Sequence, residues 1–262
     1  NAVYVISKNH RAVVQQYACY PLVHSGIMSH ITLWQTRWSL HFELGRVLVD
    51  HAFRITSEPF RSFHYVIGHG LFFHYDVFED VGGFPENIAN EDACLGLELY
   101  AKGYQLDTVP FLEKADIARD LSVYVKQQTV WFTGPFFAFK YLKRVGKSPK
   151  AISGAIKLFS HAVYWLCGPV LIWIIMPLML ALSREITMLV LWIILGLYHC
   201  YALNLISLQC VKSLYPEDFS QKPGNVFHAI AAYLMHCVGP LLCIAKTIRG
   251  RNRIQDKYKT EK

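Results

Sequence analysis

Charge is scarce in this sequence. Acidic and basic residues make up 17% of its 262 positions, against 53% hydrophobic and 14% aromatic residues. That balance excludes a disordered chain, and 16 glycines with no G-X-Y period exclude a collagen-like one. The seven cysteines (Cys19, Cys94, Cys167, Cys200, Cys210, Cys237, Cys243) include no C-x-x-C pair, so they read as reduced, mostly buried thiols. Twelve histidines contain no H-E-x-x-H and no His/Cys spacing for zinc, and no G-x-S-x-G marks a serine nucleophile. Internal repeats and low-complexity linkers are also missing. No basic stretch followed by an apolar run and a cleavage site opens the chain, which predicts no signal peptide. It starts at Asn1 and runs straight into Val3-Tyr4-Val5-Ile6, as expected of a cut inside a longer protein.

The net charge of +7 is unevenly spread. Residues 1–139 carry 10 basic and 14 acidic side chains, whereas residues 140–157 carry six basic ones and no acid. The last 17 residues add seven basic and two acidic. Basicity therefore flanks the apolar segments, which suits anionic lipid headgroups; a nucleic-acid reader would carry it on the globular part, so nucleic acid is not an expected partner.

Two runs, residues 158–182 and 186–211, contain no Asp, Glu, Lys or Arg, and each is long enough to cross a bilayer core of about 30 Å. Ser183-Arg184-Glu185 between them leaves room only for a tight hairpin. A third run, 226–245, is interrupted by His228, His236 and Pro240. With three crossings, residues 140–157 and the basic tail 246–262 would lie on opposite sides, against the positive-inside rule. Either the third run lies in the interface, or it re-enters, or the rule fails here. Residues 131–157, aromatic and then basic, suit a segment at headgroup level. His199, His228 and His236 read as helix-packing or pore-lining residues.

Residues 1–130 read as mixed α/β. Ala2–Ser7, Ala12–Tyr20 and Phe63–Ile67 have the β-branched and aromatic content of strands, and Tyr104–Pro110 resumes an extended run. Ser25–Val49 is helical in pattern. A helix fits Glu91–Lys102, with Asn90 as N-cap, acids in its first turn and Gly103 past its end. Its dipole would keep Asp92 ionised, hence a weak base unless the site desolvates it.

Three local features carry chemistry in order along the chain. Gly68-His69-Gly70 ends a strand without side chains to block a ligand. Glu91-Asp92 offers a carboxylate that can take a proton from a hydroxyl. Gln127, Gln128 and Trp131 offer amides beside a flat indole, suited to a sugar ring. Trp34-Gln35-Thr36-Arg37-Trp38 echoes the last of these, but reads as a helix face packed on the sheet, with Arg37 a secondary candidate for acceptor contact.

The run from Gly68 through Gly82-Gly83-Phe84 and Glu91-Asp92 to Gln127-Gln128-Thr129-Val130-Trp131 resembles the C-terminal half of the catalytic domain of family 2 glycosyltransferases. These are membrane-embedded, inverting enzymes. The resemblance covers roughly residues 12–134, and implies a partial GT-A-like α/β fold (the nucleotide-diphospho-sugar transferase type) followed by a transmembrane helical region. It implies Asp92 as general base and Gly68, His69, Gly70, Glu91, Gln127, Gln128 and Trp131 as acceptor-side residues. It further implies a nucleotide-sugar donor, a polysaccharide or lipid acceptor, membrane lipids as surroundings, and a catalytic part on the cytoplasmic side of a plasma or inner membrane. The expected domains are residues 1–130, an interfacial segment 131–157, membrane helices 158–182, 186–211 and a possible 226–245, and the tail 246–262.

Two departures stand out. Val130 occupies the place of the family motif's arginine. No D-x-D occurs in the 262 residues, so the ligands for the expected Mg²⁺ or Mn²⁺ of the parent enzyme are not in this chain, and the chain alone is expected to be inactive and to bind nucleotide sugar poorly or not at all. The competing expectation is a non-catalytic, membrane-anchored scaffold or transport component.

Overall fold

The computed structural model describes residues 2–55, 60, 62–63, 66–86, 88, 90–109, 111–219 and 221–250, apart from the side chain of Val5. Valine-rich β1 (Val13–Gln15) is buried along its whole length, because neighbours cover it on both sides. It pairs antiparallel with β3 (Leu71–Phe73) and parallel with β4 (Leu106–Thr108). A separate parallel pair joins β2 (Ala18–Cys19) to β5 (Glu113–Lys114). The single strand expected over Ala12–Tyr20 is therefore two short ones in different sheets. The chain leaves the first sheet at Gln16, whose N–H donates to the Gly70 carbonyl at 2.7 Å.

Ala2–Ser7 is not a strand: α1 spans Ala2–Lys8. Ala2 and Ile6, one helical turn apart, pack on Ala12, Val14 and Val109 while Val3 and Tyr4 stay exposed. Packing at i, i+4 spacing overrides the β-branched composition. Of the strand expected at Phe63–Ile67, residues 64 and 65 lie outside the described residues, and Phe63, Val66 and Ile67 join no ladder.

The helical expectation for Ser25–Val49 is met by α2 (Gly26–Arg37), a π-helical stretch (Trp38–Leu44) and α3 (Gly45–Ala52). After the short α4 (Tyr75–Asp80), α5 (Glu91–Ala101) carries the acidic pair. α6 (Leu121–Trp131), α7 (Thr133–Phe136) and α8 (Ala138–Val145) then lead to the apolar segments. The first of these joins α9 (Pro149–Val170), a π-helical stretch (Leu171–Ile175) and α10 (Met176–Leu182). The second joins α11 (Ile186–Leu197), a π-helical stretch (Tyr198–Ala202) and α12 (Leu203–Leu214). The third is α13 (Val226–Met235) followed by α14 (Val238–Ile248).

Among the described residues, three helical segments are thus long and apolar enough to cross a membrane: Pro149–Leu182, Ile186–Leu214 and Val226–Ile248. They differ in surroundings. Protein buries 11% of the most apolar stretch in each of the first two, but 44% in the third. That third segment packs through α13 on α2 and through α14 on α6.

The segment after Trp131 is more deeply engaged than a surface-lying helix. Ala138 and Tyr141 share a core with Ala93, Cys94 and Leu97 of α5 and with Ala155 and Leu158 of α9. Arg144, counted above among headgroup-facing cations, instead binds Glu98 (3.0 Å) and the carbonyls of Val81 and Gly83 (3.0 Å each). Lys157 likewise points inward, to the Tyr100 hydroxyl at 2.6 Å. At Gly154 a methyl group would come within 2.7 Å of Leu97, so α9 lies directly against α5. The first apolar helix and the acid-bearing helix form one packed unit.

Candidate active site

Position begins with Gln15, fully buried on β1. Its amide donates to the His69 carbonyl (2.7 Å) and its Oε1 accepts from the Ile67 N–H (3.0 Å). These bonds fix the approach to Gly68-His69-Gly70. Gly70 sits at φ +64°, where an added Cβ would lie 2.7 Å from the Gln16 carbonyl oxygen; no other residue fits that turn unstrained. His69 turns its ring away to Glu113 (Nδ1 to Oε2, 2.9 Å).

Asn90 does not cap α5 in the expected way. Its φ is +59° and its side chain makes no cap bond. The Nδ2 instead donates to the Val130 and Trp131 carbonyls (3.0 Å each) and to the Thr133 hydroxyl (2.9 Å). The start of α5 is thereby tied to the end of α6. Gly134 permits this, since a Cβ there would meet Asn90 Nδ2 at 2.9 Å.

Asp92, one turn into the site, lies beside the glycine loop: its Oδ2 is 3.7 Å from where a Gly68 Cβ would be. Its Oδ1 accepts from the Ala93 N–H at 2.7 Å. Burial raises its pKa above the ordinary aspartate range, aided by the charge of Glu91 and opposed by the backbone N–H groups. Desolvation outweighs the first-turn dipole, so the weak base expected from the sequence becomes a stronger one.

Two cavities meet at this point. An open cleft of about 1360 Å³ lies over the sheet and is bordered by Gly68, His69, Gly70, Phe84, Glu91 and Asp92. A smaller cavity of about 330 Å³ lies toward the apolar helices and is bordered by Trp34, Trp38, Trp131, Trp165, Gln128 and Asp92. Gly68, His69 and Asp92 border both. Gln128 is 2% exposed and Trp131 43%. The expected residues thus divide: Gly70 and Glu91 border the cleft, Gln128 and Trp131 the cavity, and Gln127 neither of the two. α14 sets the position of Gln128, for a Cβ on Gly239 would meet its Cβ at 2.5 Å.

The small cavity has an unusual wall. Trp34, Gln35 and Gln128 border it, and each also carries one sealed polar atom (Nε1, Nε2 and Oε1) without a hydrogen-bond partner. Trp34-Gln35-Thr36-Arg37-Trp38 meets the sheets only beside β2, where the Thr36 hydroxyl accepts from the Tyr20 N–H at 3.1 Å. α2 packs chiefly on α12 and α13, and three of these five residues border the cavity. Arg37 is held instead by the His199 carbonyl and ring. Glu43, not singled out from the sequence, also borders the cavity at 8% exposure. The two echoing Q/W segments were the one sequence signal that could have joined α2 to α6.

The resemblance implies Mg²⁺ or Mn²⁺, hard ions that take oxygen ligands. Among the described residues, the group of three metal-type side chains with ligand atoms within 4.8 Å is His10, His74 and Asp76. Its two imidazoles stack at 4.0 Å and supply nitrogen, not a second carboxylate. This set does not fit a diphosphate-bound Mg²⁺ or Mn²⁺, and no step below runs through an ion.

A small mixed sheet, a half-buried acid beside a glycine loop and helices able to cross a membrane define a membrane-helix-bearing α/β protein. The family model for glycosyl transferase family group 2 matches residues 12–205, and the chain belongs to that family. The match spans most of the lobe, the first apolar segment and the second as far as residue 205. No curated protein and no solved structure matches the chain. Family membership supports glycosyl transfer from a nucleotide sugar to a glycan-type acceptor in general, and with it a transferase in preference to a scaffold.

Proposed function

We propose that this chain performs the acceptor half of an inverting sugar transfer at a membrane. The nucleotide sugar approaches from the open cleft and the acceptor, a glycan end or a lipid-borne hydroxyl, occupies the small cavity. Asp92, at their shared wall, takes the proton of the acceptor hydroxyl as its oxygen attacks the anomeric carbon. The nucleoside diphosphate leaves from the opposite face. Holding both partners across one carboxylate supplies the proximity such a displacement needs. The lobe faces the cytoplasm in this reading, where nucleotide sugars are made, and Gln128 and Trp131 hold the acceptor while Gly68, His69, Gly70 and Glu91 shape the passage.

The observation that carries the reading is the placement of Asp92: desolvated, next to Gly68, and bordering both cavities. Asp92→Asn in the intact parent protein, assayed with radiolabelled UDP- and GDP-sugars in native membranes, should lower transfer by roughly 10²–10⁴-fold with the fold intact. The remaining activity of the wild type should fall on acidification at a pH above the ordinary aspartate range. Undiminished transfer in Asp92→Asn would sink the assignment. Because the described carboxylates do not complete a hard-ion site, added Mg²⁺ or Mn²⁺ should raise transfer by the purified chain only weakly; vigorous metal-dependent turnover would overturn that part.

A further inference from the structure

The pairing register gathers three metal-type side chains at one end of the first sheet. β1 runs antiparallel to β3 with Val13 opposite Phe73, so the turn before β1 meets the residues that follow β3. His10 comes from that turn. Asn9 closes it by accepting from the Arg11 N–H at its side chain (3.0 Å) and from the Ala12 N–H at its carbonyl (2.9 Å). His74 and Asp76 come from the start of α4. The two imidazoles stack nearly parallel, 11° apart in plane and 4.0 Å between centroids. Both Nδ1 atoms lie beside one carboxylate, His10 at 3.5 Å from Asp76 Oδ2 and His74 at 3.2 Å from Oδ1. His74 Nδ1 also accepts the Asp76 N–H at 3.2 Å, so it carries a lone pair and not a proton. Lone pairs of a nitrogen and a carboxylate oxygen are thus held side by side, an arrangement that a cation between them relieves.

We propose that His10, His74 and Asp76 bind one divalent transition-metal ion of the Zn²⁺ type, which clamps the turn between α1 and β1 to α4 at the rim of the open cleft. The ligand atoms already lie within 4.8 Å of one another. An ion held at about 2.0–2.2 Å from each would draw them to roughly 3.0–3.5 Å apart, a closure that rotation of exposed side chains supplies. The ion takes the His74 lone pair from the Asp76 N–H, a long bond at the exposed start of a helix. The side chains of His10 and Asp76 are 60% and 62% exposed and that of His74 32%, so the ion enters straight from solvent and keeps water on its remaining positions. Two imidazoles and one carboxylate favour Zn²⁺, Co²⁺ or Ni²⁺ over Mg²⁺ or Ca²⁺, which take all-oxygen sets. Val3, Ile6 and Ser7 of α1 border the cleft together with His10 and His74. Binding therefore fixes one wall of the cleft, and it needs nothing from the assignment of Asp92.

Calorimetric titration of the full chain in detergent, without a polyhistidine tag, with Zn²⁺ alone tests this. The wild type should take up one ion with a Kd on the order of 1–10 μM, and a thousandfold excess of Mg²⁺ should not displace it. His10→Gln and Asp76→Asn should each weaken that affinity about tenfold or more. Both side chains are exposed, so the metal-free Tm of either variant should stay within about 2 °C of wild type. Amide hydrogen exchange of residues 2–12 should slow on adding Zn²⁺ in the wild type and not in His10→Gln, which reports the clamp separately from affinity. The proposal is overturned if Zn²⁺ fails to bind up to about 1 mM, or if both variants bind within about twofold of wild type. It is equally overturned if Mg²⁺ displaces Zn²⁺ at equal concentration, or if Zn²⁺ leaves the exchange of residues 2–12 unchanged. Asp92→Asn should bind Zn²⁺ as the wild type does, so this site and the catalytic assignment fail separately.

Discussion

The two hollows flanking Asp92 are built by opposite means. The cleft over the sheet is wide and edged by Gly68-His69-Gly70, with Gly70 at positive φ. The cavity behind it is about a quarter of that size and shaped by helix packing, with four indoles among the residues that border it. A loop-edged cleft admits a large, charged ligand that carries its own shell of water. A smaller hollow bordered by indoles and a few polar side chains discriminates by shape and hydrogen bonding, because a wrong occupant leaves polar groups unpaired. Selectivity should therefore reside on the helical side, and throughput on the sheet side.

One substitution type made on each side gives the sharpest contrast. Gly70→Ala forces a side chain into a left-handed turn and against the Gln16 carbonyl, which lies 2.7 Å from the new Cβ. A destabilisation of about 2–4 kcal/mol is expected, with donor KM raised more than acceptor KM. Gly239→Ala keeps an ordinary helical backbone, but its Cβ would meet Gln128 Cβ at 2.5 Å and the backbone of Gln128 and Thr129 at 2.9 Å. A loss of about 1–3 kcal/mol should accompany a raised acceptor KM, since α14 and α6 must move apart where Gln128 sits. Denaturation midpoints and a KM matrix for both substrates check the pair. Equal effects on both KM values in both variants would erase the distinction between the hollows.

Acidity divides the two sides next. Glu43 is buried among Trp38, Ser39, Asp92 and Arg46, and the Tyr17 and Tyr20 hydroxyls feel its charge. Its folded pKa of about 7 exceeds that of an unfolded glutamate, so the native state favours the protonated form. This contribution is fully present below the unfolded pKa and is lost as pH climbs toward 7. Wild-type stability should thus fall between about pH 5 and 8 by on the order of 1–2 kcal/mol, the figure being discounted for relaxation around the site. Glu43→Gln should flatten that slope and be the more stable protein at pH 8. A parallel pH dependence of Tm in both proteins would show that Glu43 does not ionise in this range.

How much of this could be read from residues alone depends on whether their pattern has a face. The apolar segments were plain, because membrane-length runs without charge need no partner to be recognised. α5 was legible too, with its acidic first turn and Gly103 beyond its end. The glycine loop and Asp92 were named, and both line the same junction. The role of α2 was not legible: Ser29 to Arg37 are buried all round, so no polar stripe says which neighbour each face meets. Glu43 gave no signal, since an isolated glutamate in a helix is ordinarily solvated. α1 misled because four β-branched and aromatic residues in a row (Val3 to Ile6) carry no information about the long-range packing of Ala2 and Ile6.

Asn90 offers the finest test of how the sides communicate, since it joins the acid-bearing helix of the junction to the tryptophan-bearing helix of the cavity. Removing its side chain while keeping the left-handed backbone requires Asn90→Gly. Three hydrogen bonds to Val130, Trp131 and Thr133 are then lost, but all three acceptors lie at a helix end that water can reach. A net cost of about 1 kcal/mol is expected, with kcat lowered roughly threefold to tenfold as Asp92 and Trp131 lose their fixed spacing. Asn90→Ala should be worse in stability yet similar in kcat, because it adds backbone strain at φ +59° without changing the lost bonds. If Asn90→Gly leaves kcat untouched, the two helices hold their spacing through the Gly134 contact alone, and the cavity and the cleft are coupled by packing rather than by this side chain.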